Sequence, residues 1–331
     1  MKIPLTRSLV LLLVVFSFGS YRAQAAAPLA KVVMTTGSYS EREGAVYVAQ
    51  DQGFFRKHGV DLSFVQVRSG PVGMAALSSG ESQFHWGSVT AANLGAIAEG
   101  ADFTFVAGFI NKLTGTFVVN PKIKSPEELK GKSLGVNSLS GGGWIFTMLT
   151  LDYWGLDPKR DGITIRTLGS DSVRAEALSS GIIDGCQIGY TFGTLLQNKG
   201  FRVLADLEKL AIPYQGSGII TRRSIMASSP AIVENVLRGL LDAVAFIRNP
   251  ANKAAVMKSL AKGLRLPRVE DTEQGYQSIV GIYEKKIYPS VDGIRNVIRL
   301  TGATNEKIRR LKAEDLVDDS IVRKLEKEGA F

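Results

Sequence analysis

The sequence predicts a two-lobed α/β protein with a ligand cleft between the lobes, and three observations predict it. The length of 331 residues exceeds what one hydrophobic core ordinarily holds. Short apolar strands alternate with short helices through the first two thirds of the chain, the pattern of parallel strands joined by crossover helices. The same order of elements then returns: displaced by 101 positions, residues 69–80 lie over residues 170–181 and match at seven of twelve places. Two copies at so long a period describe two similar lobes rather than a solenoid.

Taken in order, residues 31–36 form a first strand, 37–40 a loop and 43–50 a helix, with a further helical turn at 54–58 that ends at Gly59. A strand at 62–67, a helix to Ser79, a strand at 83–86, a loop at 87–90, a helix at 91–99 and a strand at 103–109 complete the first copy. The second copy runs as strand 134–136, loop 138–143, helix 144–154, strand 163–168, helix 171–180, strand 184–188, loop 189–193, helix 194–198 and strand 202–205. Residues 116–120 and 216–221 are extended by composition and read as crossings between lobes. Each leads to a serine-proline start, Ser125-Pro126 and Ser229-Pro230, where proline suits the first helical position. From Pro230 onward the chain reads as helical, and without strands of its own it is expected to pack back on the first lobe.

Ligands of open α/β sheets lie outside the carboxyl ends of the strands, so the loops there are the candidate site. Equivalent loops are expected to oppose one another, 37–40 with 138–143 and 87–90 with 189–192. The stretch 138–144, Ser-Leu-Ser-Gly-Gly-Gly-Trp, joins a strand to a helix start whose free amides and dipole suit an anion. The same glycines also serve as a plain flexible connection.

Hydrophobic residues at 45% and charged residues at 21% describe a globular chain. Lys2 and Arg7 precede an apolar run at 9–18, and Ala23-Gln24-Ala25 supplies small residues for cleavage, so residues 1–25 read as a secretory signal peptide. The run is short for a membrane span. Removing it takes away Lys2, Arg7 and Arg22 and no acid, which lowers the formal net charge from +9 to +6. Scattered basic residues at that level do not point to nucleic acid. The single cysteine, Cys186, permits no internal disulfide, so the cores alone must hold the fold.

Catalytic patterns are sparse. Two histidines, His58 and His85, and one cysteine offer no zinc spacing, and Gly131-Lys132-Ser133 lacks the earlier glycine of a phosphate-binding loop, since position 126 is proline. No cofactor and no metal are expected. Arg42, Arg68 and Arg174 are possible anion partners by charge, but Arg42 is flanked by Glu41 and Glu43 and Arg174 falls inside a helix, so none is assigned to the site.

Several ordered motifs resemble a known family. They are Tyr-Val-Ala-Gln-Asp-Gln-Gly-Phe-Phe at 47–55 followed by Gly59-Val60-Asp61, the two Ala-Leu-Ser-Ser-Gly copies, Lys-Ser-Pro-Glu-Glu-Leu-Lys-Gly-Lys-Ser-Leu-Gly-Val at 124–136, Gly155-Leu156-Asp157-Pro158, and Asp315-Leu316-Val317-Asp318. In order and spacing they resemble the periplasmic substrate-binding proteins of ABC importers for nitrate, sulfonates, taurine and thiamine precursors. The resemblance implies a type II-like periplasmic binding protein fold with two crossover strands and a helical C-terminal region. It divides the chain into signal peptide 1–25, first lobe 26–117, second lobe 118–218 and a return to the first lobe over 219–331. It also implies a soluble periplasmic monomer that closes on a small-molecule solute and delivers it to a membrane permease, with no nucleic acid partner. Its ligand contacts, carried onto this chain, are Ser38, Tyr39, Ser88, Thr90, Ser138, Ser140, Gly141, Tyr190, Thr191 and Phe192. The expected ligand is a small organic anion, sulfonate or carboxylate, or a related heteroaromatic. Two alternatives stay open: an enzyme on the same scaffold, like the pyrimidine synthases and desulfinases, and a secreted ligand sensor.

Overall fold

A computed structural model describes residues 28–331; the expected signal peptide lies outside the described residues. The first lobe runs β1 (Ala30–Thr36), α1 (Gly44–Asp51), α2 (Phe54–Lys57), β2 (Val60–Gln66), α3 (Gly70–Ser79), β3 (Phe84–Gly87), α4 (Ala91–Ala98) and β4 (Phe103–Gly108). The chain then crosses to β5 (Thr116–Val119), β6 (Ser133–Val136), α5 (Gly142–Tyr153), β7 (Thr164–Thr167), α6 (Asp171–Ser179), β8 (Gly185–Ile188), α7 (Tyr190–Asn198) and β9 (Arg202–Asp206). It returns through β10 (Gly218–Arg222) into α8 (Arg223–Ser228), α9 (Pro230–Arg248), α10 (Lys253–Leu264), α11 (Glu273–Ile282), α12 (Val291–Gly302), α13 (Glu306–Arg309) and α14 (Ser320–Lys327).

The internal repeat of the sequence is a repeat of topology. One sheet has the order β2-β1-β3-β10-β4 and the other β7-β6-β8-β5-β9, so each strand finds its counterpart in the same place. The fourth position is antiparallel in both, and in both it is filled by a crossing strand: β10 pairs Ile220 with His85, and β5 pairs Val118 with Cys186. The crossing segments also meet each other, at Lys112 opposite Pro213.

Burial follows the sequence pattern. Val32 and Met34 of β1 share one hydrophobic core with Val236, Leu240 and Val244 on the apolar stripe of α9. Phe84, Trp86, Phe105 and Phe117 are fully buried, each stabilising the fold by roughly 1.5–3 kcal/mol through removal of apolar surface from water. Helices α9 and α10 pack on α1 of the first lobe, and α11 lies between α10 and α7 of the second lobe. In contrast, α12 and α13 join a cluster that also holds Leu94 of α4 and Phe117 of β5, and Arg299 reaches Asp152 of α5. The C-terminal region therefore braces both lobes. Among the described residues no helix is long and apolar enough to cross a membrane.

One boundary departs from the sequence reading. Residues 189–193 were expected as a loop before a helix at 194, whereas α7 starts at Tyr190. Gly189 offers no capping side chain, and the sequence around it shows no start signal. The first free amides are met by carboxylates from elsewhere, Asp171 and Glu41.

Candidate functional site

Three helix starts converge beside the ends of β1 and β3. Those of α3 and α4 belong to the first lobe, and that of α5 to the second, where Asn137 Oδ1 accepts hydrogen bonds from the amides of Ser138 and Gly143 at 2.9 and 3.1 Å. Thr90 caps α4 reciprocally with Asn93: Thr90 Oγ1 accepts from the Asn93 amide at 3.2 Å, and Asn93 Oδ1 from the Thr90 amide at 2.8 Å. Between them lies a cavity of about 50 Å³ lined by both lobes, with Ser38, Arg42, Trp86 and Ser88 on one side and Asn137 and Gly143 on the other. On that scale a water needs roughly 10–15 Å³, so the space fits a small solute or an anionic head group.

Arg42 and Glu43 are the charged residues of this cavity. The residues 41–43 form a single 3₁₀ turn, in which successive side chains diverge by about 120°. Glu41 points to the second lobe, where Oε1 accepts from the Tyr190 amide at 2.6 Å, and Glu43 turns back to Ser40, whose amide and hydroxyl both donate to Oε2 at 2.9 Å. Arg42 is left with serine hydroxyls, Ser40 Oγ at 3.1 Å from Nε and Ser38 Oγ at 3.2 Å from Nη2, and with the Phe146 ring, its Cζ 4.8 Å from the centroid. Burial raises the Glu43 carboxyl above its ordinary range, partly offset by the neighbouring Arg42. The indole N–H of Trp86 is buried in the same wall without a partner, a free donor.

His85 is pressed beneath Gly87, where a Cβ would stand 2.6 Å from the ring; no larger residue fits there. Its Nδ1 lies 2.9 Å from Thr35 Oγ1, and burial holds the imidazole at about 4, so the ring is neutral at physiological pH. A histidine depressed in this way binds fewer protons folded than unfolded. Its contribution to stability is intact above about pH 6.5 and falls by about 3 kcal/mol as the pH drops towards 4. The buried Glu41 and Glu43, with raised values, change stability in the opposite sense, so the comparison with His85→Gln isolates the histidine. Urea unfolding between pH 4 and 7 should show a shallower acid loss in the variant.

The cavity brings together Ser38, Ser88 and Thr90 of the expected contacts. Tyr39 turns outward to Arg265 at the end of α10, its ring centroid 5.0 Å from the guanidinium carbon. Ser138 Oγ is buried without a partner beside the cavity, Gly141 is the residue before α5, and Ser140 sits at φ +62°, its carbonyl accepting from the Ala92 amide of α4 at 3.1 Å. Tyr190 gives its hydroxyl to Asp206 at 2.7 Å, Thr191 is fully buried, and Phe192 packs in the second lobe's core. The hydrogen bonds between lobes also run diagonally, the first-strand loop of each lobe meeting the third-strand loop of the other. These two bonds add a diagonal contact to the pairing of 37–40 with 138–143 expected from sequence, which the cavity retains with Gly37 and Ser38 facing Gly142 and Gly143. Arg42, a possible anion partner by charge that the sequence leaves unassigned, lines the cavity, and so do Glu43, Trp86, Asn93 and Asn137, which the sequence does not single out; of these four only Asn93 carries a sequence signal, the Thr90-x-x-Asn93 capping pattern.

A family model described as NMT1/THI5 like matches residues 42–254. The chain belongs to the NMT1/THI5-like family. No curated protein sequence matches this NMT1/THI5-like chain. Solved structures share its fold. A protein from Bordetella bronchiseptica RB50 superposes with a TM-score of 0.77 at 18% identity, covering 91% of this chain and 98% of its own. The periplasmic nitrate-binding protein NrtA from Synechocystis PCC 6803 gives 0.74 at 11% identity, with 91% and 89% covered. The alkanesulfonate-binding protein SsuA from Xanthomonas axonopodis pv. citri, bound to MOPS, gives 0.70 at 21% identity, with 89% and 100% covered. The fold of this NMT1/THI5-like protein is thus the two-lobed periplasmic binding protein fold, with two crossover strands and a helical C-terminal region.

Proposed function

We propose that this protein is the periplasmic solute-binding component of an ABC-type importer, that it closes on a small organic anion, a sulfonate or carboxylate or a related heteroaromatic, and that it passes the solute to a membrane permease. The observation that carries the reading is Arg42: a half-buried guanidinium in the interlobe cavity whose only polar side-chain partners among the described residues are two serine hydroxyls. Glu43 also lines the cavity and partly offsets this charge, but no carboxylate touches the guanidinium, so its remaining donors favour a ligand that supplies an anionic oxygen. Ser38, Ser88, Thr90 and the Trp86 indole offer further donors around it, and the helix starts add partial positive charge. Ser138, Ser140 and Gly141 lie in the chain between Asn137 and Gly142 of the cavity lining, whereas Tyr190, Thr191 and Phe192 are outside that lining.

Native mass spectrometry of the protein as purified, followed by thermal shifts against sulfonates, carboxylates, nitrate and thiamine precursors, tests the reading. A bound or stabilising anion released unchanged supports it. Turnover of the ligand, or stabilisation by cations alone, overturns it.

A binding role also accords with the only cysteine. Cys186 lies fully buried in β8, and burial pushes its thiol up to about 12, the opposite of an activated nucleophile. A thiol reagent should therefore label the native protein at least a hundredfold more slowly than the urea-unfolded chain, and mass spectrometry of the time course reads this directly.

A further inference from the structure

The two lobes touch through a pair of matched contacts. At one, Glu41 of the first lobe places Oε1 2.6 Å from the amide of Tyr190, the first residue of α7. At the other, Ser140 of the second lobe places its carbonyl 3.1 Å from the amide of Ala92, in the first turn of α4. Helices α4 and α7 occupy equivalent places in the two lobes, each following the central parallel strand of its sheet. Each lobe therefore supplies an acceptor to an otherwise unpaired amide of the other lobe's corresponding helix.

We propose that Glu41 and the Ser140 carbonyl are reciprocal clasps that hold the cleft shut through protein contacts alone, with Glu41 positioning the lobes for the ligand. The Glu41 clasp is built in rather than incidental. Its side chain is 1% exposed, and the neighbouring Gly189 amide is taken by Asp171 at 2.7 Å, so two acidic residues share the start of α7. Helix α11 packs against the contact from the first lobe: a Cβ on Gly275 would fall 2.3 Å from Thr191 Oγ1 and 3.4 Å from the Cβ of Glu41, so a larger residue there presses on Thr191. The clasp is also poised to open. Glu41 Oε2 and Thr191 Oγ1 are buried without partners, and both regain water when the lobes part. At the second clasp Ser140 holds a left-handed backbone, φ +62°, which a non-glycine residue adopts at a cost and which presents its carbonyl to α4. One consequence is an asymmetric cleft. The α7 start is filled by the protein's own carboxylate, and the ligand is left with the α3, α4 and α5 starts around Arg42.

Amide hydrogen exchange of the ligand-free protein tests the proposal, independently of whether the solute is an organic anion. Glu41→Ala removes only the first clasp, yet it should speed exchange at Ala92, in the second clasp on the other lobe, by at least tenfold, and should enlarge the radius of gyration in small-angle scattering. Gly275→Ala, which wedges α11 from α7 with Glu41 intact, should do the same. Unchanged circular dichroism in both variants separates opening from unfolding; if either fails to fold, the other carries the test. Unaltered exchange at Ala92 and an unaltered radius of gyration in a folded variant would overturn the proposal, leaving Glu41 as a local cap of α7.

Discussion

Arg42→Ala is expected to weaken anion binding by about a hundredfold, the largest effect of any single change around the cavity. A hydrogen-bonded charge pair contributes roughly 1.5–3 kcal/mol, and 3 kcal/mol corresponds to about two powers of ten in affinity. The loss falls near the upper end because the variant leaves the buried Glu43 carboxylate beside the site without the cation that offsets it. Arg42→Lys keeps the charge but not the planar fork that spans Ser38, Ser40 and the face of Phe146, so an intermediate loss of about tenfold is expected. Titration calorimetry against the anion found in the thermal screen measures both. An unchanged dissociation constant in the alanine variant would remove Arg42 from the site.

That residue also shows where the sequence is legible and where it is not. The two lobes and the succession of strands and helices along the chain are legible because each is written in local periodicity and then written again 101 residues later, whereas the order of strands across each sheet is not. Arg42 was set aside because Glu41 and Glu43 adjoin it in sequence. Adjacency misleads in a 3₁₀ turn, where neighbouring side chains diverge by about a third of a turn and here reach three different destinations. Trp86 and His85 fall in the strand read at 83–86 and are buried there; only the third dimension shows that the wall they occupy faces a cavity. The diagonal contact of the loops had no sequence signature at all, because the orientation of one lobe on the other is set by the crossings and by long-range packing. For the same reason the start of α7 was placed late. Its cap is Glu41, 149 residues away in the chain.

Arg174 carries the largest expected effect on stability. Sequence placed it as a charge on or within α6; it is 2% exposed, pairs with Asp171 through Nη2, and donates from Nη1 to the Gly169 carbonyl. Asp171 is itself 5% exposed and holds the Gly189 amide, and Glu41 stands next to it, raised by burial and further by the Asp171 charge. Arg174 is thus the buried cation within a group containing two buried carboxylates. Arg174→Met keeps an unbranched apolar stem and removes the guanidinium, so Asp171 remains buried and unpaired; breaking such a pair from one side costs roughly 3–5 kcal/mol. Removing both partners is far milder in general, because no lone buried charge remains. Arg174→Met with Asp171→Asn, which also keeps an acceptor for the Gly189 amide, should therefore recover much of the loss. Urea unfolding of the single and double variants decides the matter: a single variant within 1 kcal/mol of the parent would show that water reaches Asp171 and that the pair is not the support of α6 and α7 that its burial implies.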